Sequence, residues 1–233
     1  MTSLVCSTSC ATRKSDGMSR VARFNEAKIL DVTADIIAAG GPGAATIAAI
    51  GHRLGAPSGS IYHRFPSRSA LLGRLWMQKA AQFQDRFVAA LAHDEPYAAG
   101  LEAALSFPRS VRSDPAGAKI LLLYRREDFL DDAWPPAIQE EAKRLGDQVT
   151  YALAAITKRL FDRAGAADRR AVTFAILDAP MAGVRRHVMA NEAPPATVDK
   201  LLRVTFEAVI RPRLADRGLT KRDTPRATPR GIA

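Results

Sequence analysis

The sequence predicts an all-α protein, with a small N-terminal three-helix head followed by a larger helical body. Three observations carry this. Apolar residues recur at three- and four-residue spacing along most of the chain. No stretch alternates with period two, as a half-buried strand would. Clusters of Pro and Gly ("GGPG", "DEPY", "SDPAG", "DDAWPP", "RAGAAD", "NEAPP") separate the periodic runs.

Residues 1–19 are polar, rich in Ser and Thr, and aperiodic, so a disordered N-terminal extension is expected. Met18 opens a run that would itself serve as a start. The first helix is predicted over 21–39, where Phe24, Ala27, Leu30, Ala34 and Ile37 form one stripe. "GGPG" at 40–43 stops it. No Lys-Ser/Thr pair follows and no strand precedes, so this is a turn and not a phosphate loop. Thr46 is placed to cap a second helix carrying Ile47 and Ile50 on its inner face. Gly55 suits the left-handed residue that ends it. Pro57 fits the first turn of a third helix, which holds Ile61 and Phe65 one turn apart on one face. Pro66 ends that helix. Ser67 can cap a long fourth helix to about His93. Further helices are predicted at 97–112, 115–127, 135–163, 167–190 and 196–211, with a basic disordered tail over 212–233. The domain expectation is therefore a head over 20–66 and a body over 67–211.

The formal net charge of +10 is unevenly placed. Residues 11–75 hold nine Lys and Arg against four Asp and Glu, residues 76–210 hold eighteen of each, and residues 211–233 hold seven against two. A basic end on a neutral body points to a polyanionic partner at one pole. Cys6 and Cys10 are too few for a disulfide framework, and the four scattered histidines do not complete a metal site, so neither metal nor cofactor is expected. No signal peptide is legible in the first residues, and no apolar run reaches the roughly 20 residues a membrane span needs. A cytoplasmic protein without membrane association is the expectation. Catalysis is not expected either. "PSGS" lacks the flanking glycines and strand of a nucleophile elbow, and the acids of "RREDFLDD" read as a solvated helix end.

The chemistry concentrates in "APSGSIYHRF", residues 56–65. Two short helices joined by a Gly-containing turn form a helix-turn-helix, whose second helix enters the DNA major groove. Ile61 and Phe65 anchor that helix. Ser58, Gly59 and Ser60 carry so little bulk that the backbone itself can approach another molecule. Tyr62 and His63 can donate to phosphate oxygens. Arg68, in the first turn of the next helix, sits where the helix dipole disfavours a cation and a phosphate would reverse that cost. Thr46 offers a hydroxyl at a helix start suited to an anion.

At these residues the chain resembles a family. "ILDVTADIIAAGGPGAATIAAIGHRLGAPSGSIYHRFPSRSALL", residues 29–72, looks like the DNA-binding domain of the TetR-type one-component transcriptional regulators. The shared pattern is a helix, Gly, a Thr-started helix, Gly before a small-residue recognition helix, a Tyr-His-x-Phe run, and a basic residue before a Leu pair. The resemblance implies double-stranded DNA as a partner and contacts at Thr46, Ser58, Gly59, Ser60, Tyr62, His63 and Arg68. This chain departs from the pattern at Pro57, where a capping Ser is usual, and at Ser58, where many members carry Lys. Arg53 and Arg64 are candidates to supply the missing cation, as are Arg20 and Arg23 ahead of the first helix.

For the body, the resemblance implies an effector-binding and dimerisation domain whose last two helices pair across a two-fold axis. Small residues Ala175, Ala179 and Gly183 would allow close approach, with Leu201 and Val204 on the last helix. The aromatics available to line an apolar effector pocket are Trp76, Phe83, Phe87, Phe107, Tyr124, Trp134 and Tyr151. The expected function is a ligand-responsive regulator, a repressor that binds a palindromic operator as a homodimer and is released by a small hydrophobic effector. The alternative is a sequence-tolerant DNA-binding protein without an effector.

Overall fold

The computed structural model describes residues 25–125, 128–129 and 136–218, the side chains of 136–138 excepted. Ten α-helices occur among them, and no strand: α1 Glu26–Gly40, α2 Ile47–Leu54, α3 Ser58–Tyr62, α4 Arg68–Leu91, α5 Pro96–Ser113, α6 Pro115–Leu123, α7 Pro136–Leu160, α8 Ala166–Thr173, α9 Ala179–Ala190 and α10 Ala196–Ala215. The all-α expectation is met. The extension, the cysteines, Arg20, Arg23, Trp134 and most of the basic tail lie outside the described residues.

Side-chain oxygens begin α1, α2, α4 and α6. Asn25 accepts from the amide of Lys28, Thr46 from Ala49, Ser67 from Ala70 and Asp114 from Gly117, each satisfying one otherwise unpaired N–H. Gly55 ends α2 at φ +63°, a left-handed conformation that favours glycine. Pro57 departs from expectation. It occupies the capping position of α3 in extended conformation, and α3 starts one residue later.

The head is closed by two elements beyond residue 66. Ile29, Ile37, Ile50 and Ile61 are fully buried, with Phe65 beside them. Leu71, Leu72 and Leu75 of α4 and Ile120 of α6, with Phe129 beyond it, belong to the same core. The physical division therefore runs through α4 and across α6. α4 continues into the second core, where Phe87 and Leu91 join residues of α5, α7, α8, α9 and α10.

Two further features differ from the periodicity reading. The predicted helix over 167–190 is two α-helices joined by a π-helical turn, Phe174–Asp178. Pro180 has no amide hydrogen to bond Ile176, and the amide of Ala179 reaches back five residues to Phe174. The last helix runs to Ala215, past Pro212, four residues beyond the predicted end. Buried Asp168 holds it there. Its carboxylate accepts from Arg217 at 2.6 Å and from the amide of Gly165 at 2.7 Å, with Arg213 at 3.7 Å. The Arg217 guanidinium also lies over the Phe161 ring.

Candidate nucleic-acid interface and ligand cavity

α2, the turn at Gly55–Pro57 and α3 form a compact helix-turn-helix. The amide of Ala56 donates to Gly51 O at 2.9 Å. A side chain at Gly51 would meet the Ala56 carbonyl at 2.9 Å, so the turn folds tightly only against glycine. Ile61 is fully buried and Phe65 nearly so, which fixes the rotation of α3. That rotation leaves Ser58, Gly59, Tyr62 and His63 exposed, with Ser60 half-buried and Tyr62 52% exposed. Arg53 is exposed in the last turn of α2, and Thr46 is exposed at its start.

Gly59 differs from Gly51. Nothing lies within 4 Å of where its Cβ would be. Its backbone needs no left-handed φ either. The smallness of this residue is therefore not required by the packing of the chain itself.

Arg68 has a role inside the head. Its Nε donates to Ala45 O at 2.8 Å and its Nη2 to Pro42 O. It clamps the turn that leads into α2 and so sets the position of Thr46. Arg64 similarly donates to Ser60 O at 3.0 Å, along α3.

The body holds a partly open cavity of about 220 Å³ among α4, α5, α6, α7 and the α8–α9 junction. Four of the predicted aromatics line it: Trp76, Phe83, Phe87 and Phe107. Phe87 and Phe107 meet edge to face, 5.8 Å between ring centres. Two others do not line it. Tyr124 packs in the head core beside Phe129, its hydroxyl 3.4 Å from Ile37 O, and Tyr151 is 73% exposed on the outer face of α7. The remaining wall was not foreseen: Leu121 and Leu122 of α6, Val149, Leu177 of the π turn, Met181, and the polar Gln84, Ser106 and Ser110. Aliphatic and serine residues carry no sequence mark that separates a cavity wall from ordinary core. The Gln84 Oε1 atom is buried without a hydrogen-bond partner among the described residues.

α6 connects this cavity to the head. While Leu121 and Leu122 face the cavity, the Nζ of Lys119 donates to Ala38 O at 2.8 Å at the end of α1, and Tyr124 reaches Ile37 O. The start of α6 is fastened to α4, because Asp114 both caps α6 and pairs with buried Lys79 at 2.9 Å.

The small residues expected at a subunit interface are mostly used within the chain. Ala175 is 1% exposed inside the body core, and a Cβ at Gly183 would stand 3.4 Å from Leu202 of α10. Ala179 is half-buried at the junction after the π turn. Leu201 and Val204, in contrast, are 65% and 62% exposed, and α8–α9 adds exposed Phe174, Met181 and Met189.

Among the described residues no helix is long and apolar enough to cross a membrane. There is also no cluster of three or more His, Cys, Asp or Glu suited to a metal ion.

Residues 29–75 match the family described as bacterial regulatory proteins, tetR family. No curated protein matches the sequence. Among solved structures, the transcriptional regulator FadR from Bacillus subtilis, in complex with stearoyl-CoA, aligns over 80% of this chain and 98% of its own, with a TM-score of 0.62 at 17% identity. FadR from Bacillus halodurans aligns over 80% and 98%, with a TM-score of 0.59 at 15% identity. PfmR from Thermus thermophilus, a TetR family transcriptional regulator, aligns over 81% and 96%, with a TM-score of 0.58 at 18% identity. These likenesses are of fold, and they extend over the body as well as the head. The helix-turn-helix head of the chain is thus similar to that of the bacterial regulatory proteins of the tetR family.

Proposed function

We propose that the protein is a ligand-responsive transcriptional repressor that binds a palindromic operator as a homodimer and releases it when a small, largely apolar effector fills the body cavity. One observation carries most of this reading. α3 is rigidly anchored by Ile61 and Phe65 yet presents a lean, exposed surface, with a glycine at 59 that the chain does not itself require. Such a surface suits close approach to DNA, with Ser58, Ser60, Tyr62, His63, Thr46 and Arg53 as the contact set. Arg68 acts in this scheme by positioning the start of α2.

Two copies reading a palindrome must hold their recognition helices about one helical turn apart, roughly 34–36 Å, or a multiple of it. The exposed apolar side chains Leu201, Val204, Phe174 and Met189 are the surface offered for pairing, since exposure of this size is better buried against a second copy. The cavity is apolar apart from the Gln84 amide and two serines, which suits a ligand with an apolar body and one hydrogen-bonding group. A similar fold holds stearoyl-CoA in the Bacillus subtilis regulator, which is in keeping with an apolar effector. An effector that wedges Leu121 and Leu122 would move α6, and with it the end of α1 through Lys119 and Tyr124. It shifts the equilibrium only insofar as it binds the DNA-incompetent arrangement better.

The direct test is selection of bound sequences from a randomised DNA pool by the purified chain at moderate salt. A two-fold symmetric motif is expected. Binding with no enriched motif would instead establish a sequence-tolerant binder and end the operator reading.

A further inference from the structure

We infer that the ligand of the body cavity is an amphiphile with a short apolar tail and an anionic head, and that the head is held at the α4–α5 seam by Arg86 and Arg109. This rests on the reading of the cavity as the effector site and names the chemistry of its ligand.

The cavity is not isolated. A second hollow of about 300 Å³ lies on the seam, lined by Arg86 and Ala90 of α4 and by Glu102, Ser106, Arg109, Ser110 and Ser113 of α5. Ser106 and Ser110 line both spaces, so two small, buried hydroxyl-bearing residues form the threshold between them. On the inner side of that threshold stand Phe83, Phe87 and Phe107, and on the outer side two guanidinium groups. An apolar chamber adjoining a basic vestibule is the shape of an amphiphile.

The charges favour an anion. The vestibule holds two arginines and one carboxylate. Arg109 donates to Glu102 at 2.6 Å, but both side chains are exposed, and such pairs are weakly held and readily exchanged. Arg86 donates to a neutral group, the Ser113 hydroxyl, at 2.8 Å. A carboxylate or phosphate entering here gains a charge-assisted contact from Arg86 without displacing an acid. The chamber limits the tail. At about 220 Å³ it falls below the roughly 300–1,000 Å³ of drug-sized pockets, so a short chain fits better than a long one.

The experiment compares sodium octanoate with uncharged 1-octanol by isothermal titration of the full chain, in low and high salt. Octanoate is expected to bind about ten-fold tighter at low salt, the scale of one charge-assisted hydrogen bond. That advantage should shrink at high salt. Arg86→Gln should abolish the difference while leaving 1-octanol unaffected, and Arg86→Lys should restore part of it. Leu177→Trp, which fills the chamber from the π turn, should abolish binding of both. Equal affinities, or an octanoate preference that survives in the doubly substituted Arg86→Gln, Arg109→Gln chain, would overturn the head site while leaving the effector reading standing, whereas binding that persists in Leu177→Trp would overturn the cavity as the site and the effector reading with it. Failure of both compounds to bind a chain with unchanged circular dichroism would remove the cavity as a ligand site, and the effector reading with it.

Discussion

Arg68 stands in the first turn of α4, where the dipole makes a cation unwelcome, and its guanidinium is committed to two carbonyls of the turn before α2. A structural clamp and a phosphate contact make different predictions for Arg68→Met. Removing the clamp should cost about 2 kcal/mol, lowering the melting temperature by roughly 4–8 °C, while the salt dependence of DNA binding keeps its slope. Arg53→Gln should do the reverse. Its slope should become shallower by about 0.9, the share of one neutralised phosphate, with thermal stability unchanged. A melting curve and a salt titration on each variant decide between the two roles. Gly59 invites a third substitution. Because a Cβ there meets nothing, Gly59→Ala should leave the chain as stable or more stable by about 0.5–1 kcal/mol, from helix propensity alone. Operator affinity should nevertheless fall by about ten-fold or more if the DNA backbone comes as close as proposed. Unchanged affinity would mean that the lean surface serves no close contact.

Among elements, α6 links the head, the cavity and α4. It completes the head core with Ile120, faces the cavity with Leu121 and Leu122, bonds the end of α1, and is fastened to α4 by the Lys79–Asp114 pair. Lys79 is buried, so removing its partner's countercharge is expensive. Lys79→Met should destabilise the protein by about 3 kcal/mol, or roughly 6–12 °C in melting temperature. The double variant Lys79→Met, Asp114→Asn should recover part of that stability, because no carboxylate is left uncompensated and Asn still caps α6. No recovery would show that the pair's contribution is packing of the lysine stem. The π turn is the other informative element. A single predicted helix over 167–190 becomes two because one proline, Pro180, removes a single amide hydrogen, and the resulting turn delivers Leu177 to the cavity.

At the scale of the whole molecule, pairing would decide whether the two recognition helices of the proposed dimer act together. Leu201→Glu with Val204→Glu places charge on residues that are already exposed, so the fold should be retained by circular dichroism. Sedimentation should then show a monomer. Operator affinity should drop by about a hundred-fold or more, since the two half-sites are no longer engaged by one linked molecule. A dimer that survives this change would place the interface elsewhere. The same scale explains the Asp168 contacts: the C-terminal end of α10 stays helical past Pro212 because distant Arg213 and Arg217 converge on one buried carboxylate in the first turn of α8.

The amino-acid sequence alone determined the all-α class, the caps at Thr46 and Ser67, the left-handed Gly55, and the helix-turn-helix with Ile61 and Phe65 inside. Each of these is local. Caps, turns and a 3.6-residue stripe act within a few residues, so their signals are written side by side along the chain. The long-range partners were decided only by tertiary structure. Periodicity tells that Phe87, Tyr124 and Ala175 each lie on an apolar face, but not what each face meets. Phe87 borders the cavity, Tyr124 joins the head core, and Ala175 is sealed within the body. The clamp made by Arg68 was illegible for the same reason: its carbonyl partners lie 23 and 26 residues away and leave no mark in the residues beside it. Where the cavity falls, and which charges stand at its edge, depends on how five helices cross, and that is set by the packing of all their side chains at once.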